Sequence, residues 1–193
     1  MYGPPLCALL LIVALLGGPG IGHAQDRALS AEDSLLAAAI FEELIEIPSV
    51  SGTPETVQAA RAMAERLWVA GFPEEDVQVL EPLPDVGILV ARYRGNGERP
   101  PILLLAHIDV VPALTEDWST PPFELTLQDG WWYARGATDN KAGAAMLIAN
   151  LIRYREEGFS PDRDLIVVLT GDEETDSEAI KWIVSEEGRE LID

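Results

Sequence analysis

Leu103-Leu104-Leu105-Ala106-His107-Ile108-Asp109-Val110-Val111 has the flanks of a buried strand and a polar middle. A short apolar run rich in branched residues reads as a strand, here Ile102 to Val111. In a strand, residues i and i+2 point the same way, so His107 and Asp109 share a face and Ile108 turns to the other. Burying an unpaired carboxylate costs roughly several kcal/mol, so Asp109 needs a partner. The nearest candidate is the His107 imidazole. A carboxylate holding one ring nitrogen fixes the tautomer and sharpens the other nitrogen as a metal ligand. The same pair also fits a satisfied core histidine with an aspartate at a strand end.

Outward from this strand, helices and strands alternate. Ser30-Ala31-Glu32-Asp33 starts a helix with Leu35, Ala38, Ala39, Leu44 and Ile45 at roughly helical spacing, ended by Pro48. Thr53-Pro54-Glu55 opens a second, with threonine as N-cap, an inner face of Val57, Ala60, Ala64, Leu67 and Trp68, and Gly71 as its stop. Val77 to Leu80 and Val86 to Tyr93 read as strands. Phe123 to Leu127 and Trp131 to Ala134 flank Asp129-Gly130, a hairpin turn signal. Lys141 to Glu157 reads as an Ala-rich helix, Leu165 to Thr170 as a buried strand, and Ser177 to Glu187 as a final helix. The alternation predicts the α/β class, a three-layer sandwich around a mostly parallel sheet.

Two further segments carry polar residues where chemistry is done. Arg135-Gly136-Ala137-Thr138-Asp139-Asn140-Lys141 lies between the hairpin and the Ala-rich helix. One reading makes Thr138, Asp139 or Asn140 a helix cap. The other notes the small residues on both sides, which let backbone approach a ligand closely, with Asp139 able to bridge two cations. Thr170-Gly171-Asp172-Glu173-Glu174-Thr175-Asp176 follows a buried strand, the end at which open α/β sheets bind ligands. Glu173 and Glu174 point apart and can do different jobs, one ligating and one facing a water. The plain alternative is a solvated acidic turn at a helix N-terminus.

Together these segments offer imidazole nitrogen and hard carboxylate oxygen, a donor set that suits Zn²⁺, with Co²⁺ or Mn²⁺ as alternatives. No HExxH spacing, nucleophile elbow or EF-hand loop occurs. The 193 residues hold 13 basic and 33 acidic side chains, a formal charge of −20 spread along the chain. That balance repels nucleic acid and anionic lipid and suits a protein that gathers cations.

Met1 to Ala24 contains no Asp, Glu, Lys or Arg. A short apolar run, Leu6 to Leu16, is followed by glycines and a proline, and Gly22-His23-Ala24 offers small residues for cleavage. Residues 1–24 are therefore expected to be a secretory signal, which places the mature protein outside the cell or in the periplasm and free of the membrane. The lone cysteine, Cys7, lies in this segment. Thiolate catalysis, disulfides and Cys-ligated zinc are then excluded downstream.

The runs LLAHIDVVPA (Leu104 to Ala113), WYARGATDNKAG (Trp132 to Gly143) and LTGDEETDS (Leu169 to Ser177) resemble metallopeptidase family 20. That family contains glutamate carboxypeptidases, acetylornithine deacetylase, succinyl-diaminopimelate desuccinylase and aminoacylase-1. The resemblance implies a zinc-exopeptidase fold holding two Zn²⁺ and acting on a small peptide or N-acyl amino acid. It implies His107 as a ligand of one zinc, Asp109 as its orienting partner, and Asp139 as the carboxylate bridging both metals. Glu173 would be the general base and Glu174 a ligand of the second zinc. The Asp139–Asn140 peptide bond would be cis.

Many relatives have Asp or Met at the position of Asn140, and Gly at that of Ala142. The resemblance also implies an acidic ligand some two dozen positions past the glutamate pair, a distant histidine, and a lid domain through which homodimers form. Residues 30–193 are thus expected to be the N-terminal part of the catalytic domain, with an incomplete sheet and little activity alone. Two rival expectations stand beside the peptidase: an N-acyl-amino-acid deacylase on the same site, and an inactive fragment with an incomplete metal site. A secretory signal favours a peptidase that scavenges peptides.

Overall fold

The computed structural model describes residues 30–193, so the expected signal at 1–24 lies outside the described residues. The first helix, α1 (Ala31–Glu46), begins at a capping box. Ser30 Oγ accepts from the Asp33 amide, and the Asp33 carboxylate accepts from the Ser30 amide. Its buried face is Ile40, Leu44 and Ile45. Leu35, Ala38 and Ala39, expected inside, are exposed. A helix this rich in alanine and leucine offers several apolar stripes, and packing against a later helix selects one.

The second helix, α2 (Glu55–Val69), has Pro54 rather than Thr53 as N-cap. The Thr53 hydroxyl donates to Val50 O instead, closing the turn before the helix. Gly71 ends it at φ +87.

Four strands form one sheet: β1 (Val77–Leu83), β2 (Val86–Tyr93), β3 (Ile102–His107) and β6 (Leu165–Thr170), in the order β1-β2-β6-β3. Only β3 and β6 run parallel; β1–β2 and β2–β6 are antiparallel. The α/β sandwich is as expected, but the majority-parallel sheet is corrected to a mixed one. A tight connection at Pro84-Asp85, with Asp85 at φ +59, folds β2 back on β1 and reverses the chain. The expected hairpin forms as β4 (Thr126–Gln128) and β5 (Trp131–Tyr133), with Asp129 and Gly130 both at positive φ.

Helix α3 (Ala142–Glu156) crosses from the hairpin back to β6. The final expected helix is two pieces, α4 (Glu178–Ile183) and α5 (Glu186–Arg189), because Ser185 Oγ accepts from the Gly188 amide and restarts the helix.

Alternate residues of β2 and β6 feed two apolar layers. Leu89, Ala91, Val167 and Leu169 pack with α1, α2 and α3. Ile88, Val90, Ile166 and Val168 pack with Ala179 and Ile183 of α4. These central strands are therefore apolar on both faces, as their sequence reads. Gly87 allows α2 to sit close: a Cβ there would lie 2.5 Å from Thr56 O. Among the described residues no helix is long and apolar enough to cross a membrane.

The end of the sheet remote from the histidine is tied by Asp164. Its carboxylate accepts from Arg92 Nη1 at 2.7 Å and from the Gly95 amide at 2.8 Å. Burial alone would raise this carboxyl, but these donors override it and hold the group below its usual 3.8. A depressed carboxyl contributes stability that is complete above the unfolded value and is lost as pH falls through the folded value. Urea unfolding between pH 5 and about 2 is therefore expected to show a steeper stability loss below about pH 4 in the native chain than in Asp164→Asn. Parallel acid limbs would disprove the contribution.

Candidate metal centre

The extended segment holding His107 changes partner part-way. Through His107 it pairs with β6, and the Ile108 amide still donates to Thr170 O at 2.8 Å. There β6 ends and turns away through Gly171. The next residues pair instead with the loop before α2: Val110 N donates to Ser49 O and Ser51 N to Val110 O. The strand expected to reach Val111 thus closes as β3 at His107, while its backbone stays extended to Val110. Both His107 and Asp109 are buried, and Ile108 is buried on the opposite side.

Asp109 has more partners than sequence reasoning assigned. Its Oδ1 lies 3.4 Å from His107 Nδ1, whose closer contact is the Asp109 backbone carbonyl at 3.1 Å. The carboxylate also accepts from the Glu173 amide at 3.1 Å, the Glu174 amide at 3.0 Å and Ser51 Oγ at 2.5 Å. Burial would raise this carboxyl, yet these donors hold it below the usual carboxylate range. Asp109 therefore aligns the imidazole and fixes the backbone that carries both glutamates.

Asp139 sits on the turn between β5 and α3, and its peptide bond to Asn140 is cis. Its Oδ1 lies 2.9 Å from His107 Nε2. Glu173 Oε2 is 3.8 Å from the same nitrogen. His107, Asp139 and Glu174 each bring a ligand atom within 4.8 Å of the others. Sequence reasoning placed these four residues at one rim, and the structure brings them together at the carboxyl ends of the parallel pair β3 and β6. A cleft of about 280 Å³ opens beside them, lined by His107, Asn140, Glu173, Leu105 and Ile180.

The charges around the imidazole are lopsided. Burial disfavours a charged His107, but hydrogen bonding to Asp109 and Asp139 outweighs it and raises its pKa to about 9. Glu174 is raised by burial and by the nearby charges of Asp139, Asp109 and Glu173. Carboxylates crowded around one imidazole are relieved by a divalent cation, and nitrogen with carboxylate oxygen is a donor set for Zn²⁺, Co²⁺ or Mn²⁺. The residues present therefore fit a metal.

Three supporting residues were missed. Ser51 reaches Asp109 from a loop 58 positions away. Asp172, buried and raised by that burial, accepts from the Ala179 amide at 3.0 Å and caps α4. Lys141, also buried, donates from Nζ to Leu44 O and Ile47 O at 2.7 Å each. Burial pushes its ammonium down to about 7. No local signal marks any of them.

Residues 103–193 match the model of peptidase family M20/M25/M40. Over residues 103–193 the chain is a member of that family. It is 39% identical over 137 residues to a succinyl-diaminopimelate desuccinylase of Delftia acidovorans, an alignment covering 70% of this chain and 35% of that protein. Human carnosine dipeptidase 1 shares the fold at a TM-score of 0.68 and 24% identity, over 84% of this chain and 38% of that one. The dipeptidase Dug1p of Saccharomyces cerevisiae does so at 0.64 and 24%, over 79% and 36%. The chain thus spans little more than a third of the length of these M20 relatives.

Removing the Asp109 carboxylate would strand two amides, a hydroxyl and an imidazole. Asp109→Ala is expected to cost about 3–5 kcal/mol of unfolding free energy. Ser51→Ala, which removes one donor, is expected to cost about 1 kcal/mol. Equilibrium denaturation checks both, and a near-neutral Asp109→Ala would contradict the anchoring role.

Proposed function

We propose that this chain carries part of the centre of a metal-dependent hydrolase that cleaves a peptide or N-acyl amide bond in a small substrate. The observation supporting this reading is the convergence of His107 Nε2, Asp139 and Glu174 within 4.8 Å, with the Glu173 carboxylate on the same cleft. His107, Asp139 and Glu174 would hold the metal, with Asp139 shared between two ions. Zn²⁺ fits their chemistry best and Co²⁺ or Mn²⁺ also suit it. Bound there, the ions supply Lewis acidity, which polarises the scissile carbonyl and brings the pKa of water toward ~7.

The side chains then divide the remaining work. Asp109 and its own carbonyl hold the Nδ1 side of His107, so that Nε2 faces the cleft. Glu173 takes a proton from the attacking water and hands it to the leaving nitrogen. Its neighbour Glu174 would ligate, alongside His107 and Asp139. The Asp109 carboxylate fixes the backbone of both, which keeps base and ligand in a constant relation.

A peptidase and an N-acyl deacylase use the same chemistry at this site. The 39% identity to a desuccinylase supports the deacylase, and the dipeptidase folds accompany the peptidase without arguing for its substrate. Hydrolysis of dipeptides and of N-succinyl and N-acetyl amino acids, with Zn²⁺, Co²⁺ or Mn²⁺ added, distinguishes the two.

In a full-length protein carrying this segment, Glu173→Gln is expected to retain bound metal, measured by mass spectrometry, and to lower turnover by about 10²–10⁴-fold. Glu174→Gln is expected to lose metal. Metal loss in Glu173→Gln would make that residue a ligand and overturn its role as base.

A further inference from the structure

The Asp139 carboxylate is poorly held for a group that must meet a metal. Its side chain is 78% exposed, and among the described residues it bonds only to His107. Its place is therefore set by the backbone of the turn from Gly136 to Lys141. Thr138 and Asp139 at the apex are exposed, whereas Gly136 and Lys141 at the two ends are buried. The ends close on each other, the Lys141 amide donating to Gly136 O at 3.0 Å.

One long side chain then fastens this closed turn to the rest of the protein. Among the described residues Lys141 is the only buried lysine or arginine. Its stem runs beside Gly136, where a Cβ would lie 3.2 Å from Lys141 Cδ and 2.7 Å from Val110 Cγ1. Gly136, at φ +80, has both the space and the backbone freedom this needs. The Nζ ends on two carbonyls at the C-terminus of α1, Leu44 O and Ile47 O. Leu44 O is among the last carbonyls of α1 and Ile47 is its C-cap, whose carbonyl also accepts from the Ser49 amide at 2.8 Å; this is the negative end of the helix, where a cation is favoured.

We propose that Lys141 is a positioning residue for the metal centre: it staples the Asp139 turn to the carbonyl end of α1 and so fixes where the Asp139 carboxylate meets His107. This rests on the metal-centre reading above. A lysine that only caps α1 would support folding without touching metal affinity. A staple changes the affinity and the ligand geometry of protein that is still folded.

The test uses Co²⁺ and Zn²⁺ titrations of the native chain, Lys141→Met, Lys141→Gln and Met63→Ala, each at a temperature where circular dichroism shows it folded. Met63 is buried on α2 and serves as a core-destabilised control. Lys141→Met is expected to bind Co²⁺ about 10–100-fold more weakly and to shift its visible absorption. Met63→Ala is expected to melt lower with affinity and spectrum unchanged. Native affinity and spectrum in Lys141→Met overturn the inference. If that variant does not fold, the same readings on Lys141→Gln decide, weaker binding supporting the staple and native binding overturning it. A native chain that binds neither metal removes the centre itself, and this inference with it.

Discussion

A carboxylate with no exposed surface, Asp109, imposes the condition that the rest of the site meets. Such a group is tolerated only when its oxygens are saturated with donors. The donors come from distant parts of the chain: a hydroxyl from the loop before α2, two amides from the loop after β6, and an imidazole at the end of β3. Satisfying Asp109 therefore joins three segments, and the joined geometry is the site. Hydrogen bonds to a charged acceptor are worth about 1.5–3 kcal/mol each, enough together to outweigh the burial that opposes the charge. Together they hold the group below the usual carboxylate range despite its burial.

The same contacts explain why two adjacent glutamates can have separate roles. An exposed acidic loop would normally sample many conformations. Here both amides are tied to one rigid acceptor, so the Glu173 and Glu174 side chains leave from fixed points. Glu173 reaches toward His107 Nε2, and Glu174 joins Asp139 around it. Asp172, one residue earlier, caps α4 and holds the other side of the loop. The loop that carries Glu173 and Glu174 is thus held by two buried aspartates, of which Asp172 also lines the cleft.

Much of this was legible in the sequence, and what was not has a physical reason. His107 and Asp109 were placed on one face because extended backbone alternates, and that alternation persists after the strand changes partner. The capping box at Ser30 and the turn at Asp129-Gly130 are local signals, and both formed. Sheet polarity was not legible, because the antiparallel β2–β6 ladder joins Ile88 to Thr170 and no short-range pattern encodes it. The buried stripe of α1 was misplaced because alanine fits either face, so the partner helix decides. Ser51 and Lys141 read as ordinary polar residues of a loop and a helix start; their roles exist only once α1, α2 and β3 are assembled.

The assembled site separates anchoring from offering. Asp109 and Lys141 lie in the interior with their hydrogen-bonding capacity engaged by backbone and neighbouring side chains. Asp139 and Glu173 lie at the surface, and Glu174 is only partly covered. If the carboxylates at the rim were neutralised by lysines or arginines, nothing would remain to hold a cation. Instead the imidazole is the one cationic group among them, and it carries its proton only in the absence of a competing ion. A chain of charge −20 raises the local concentration of divalent cations around every such rim. Selection among rims then falls to geometry, and rigidity of the inner layer is what gives this one a geometry to select with.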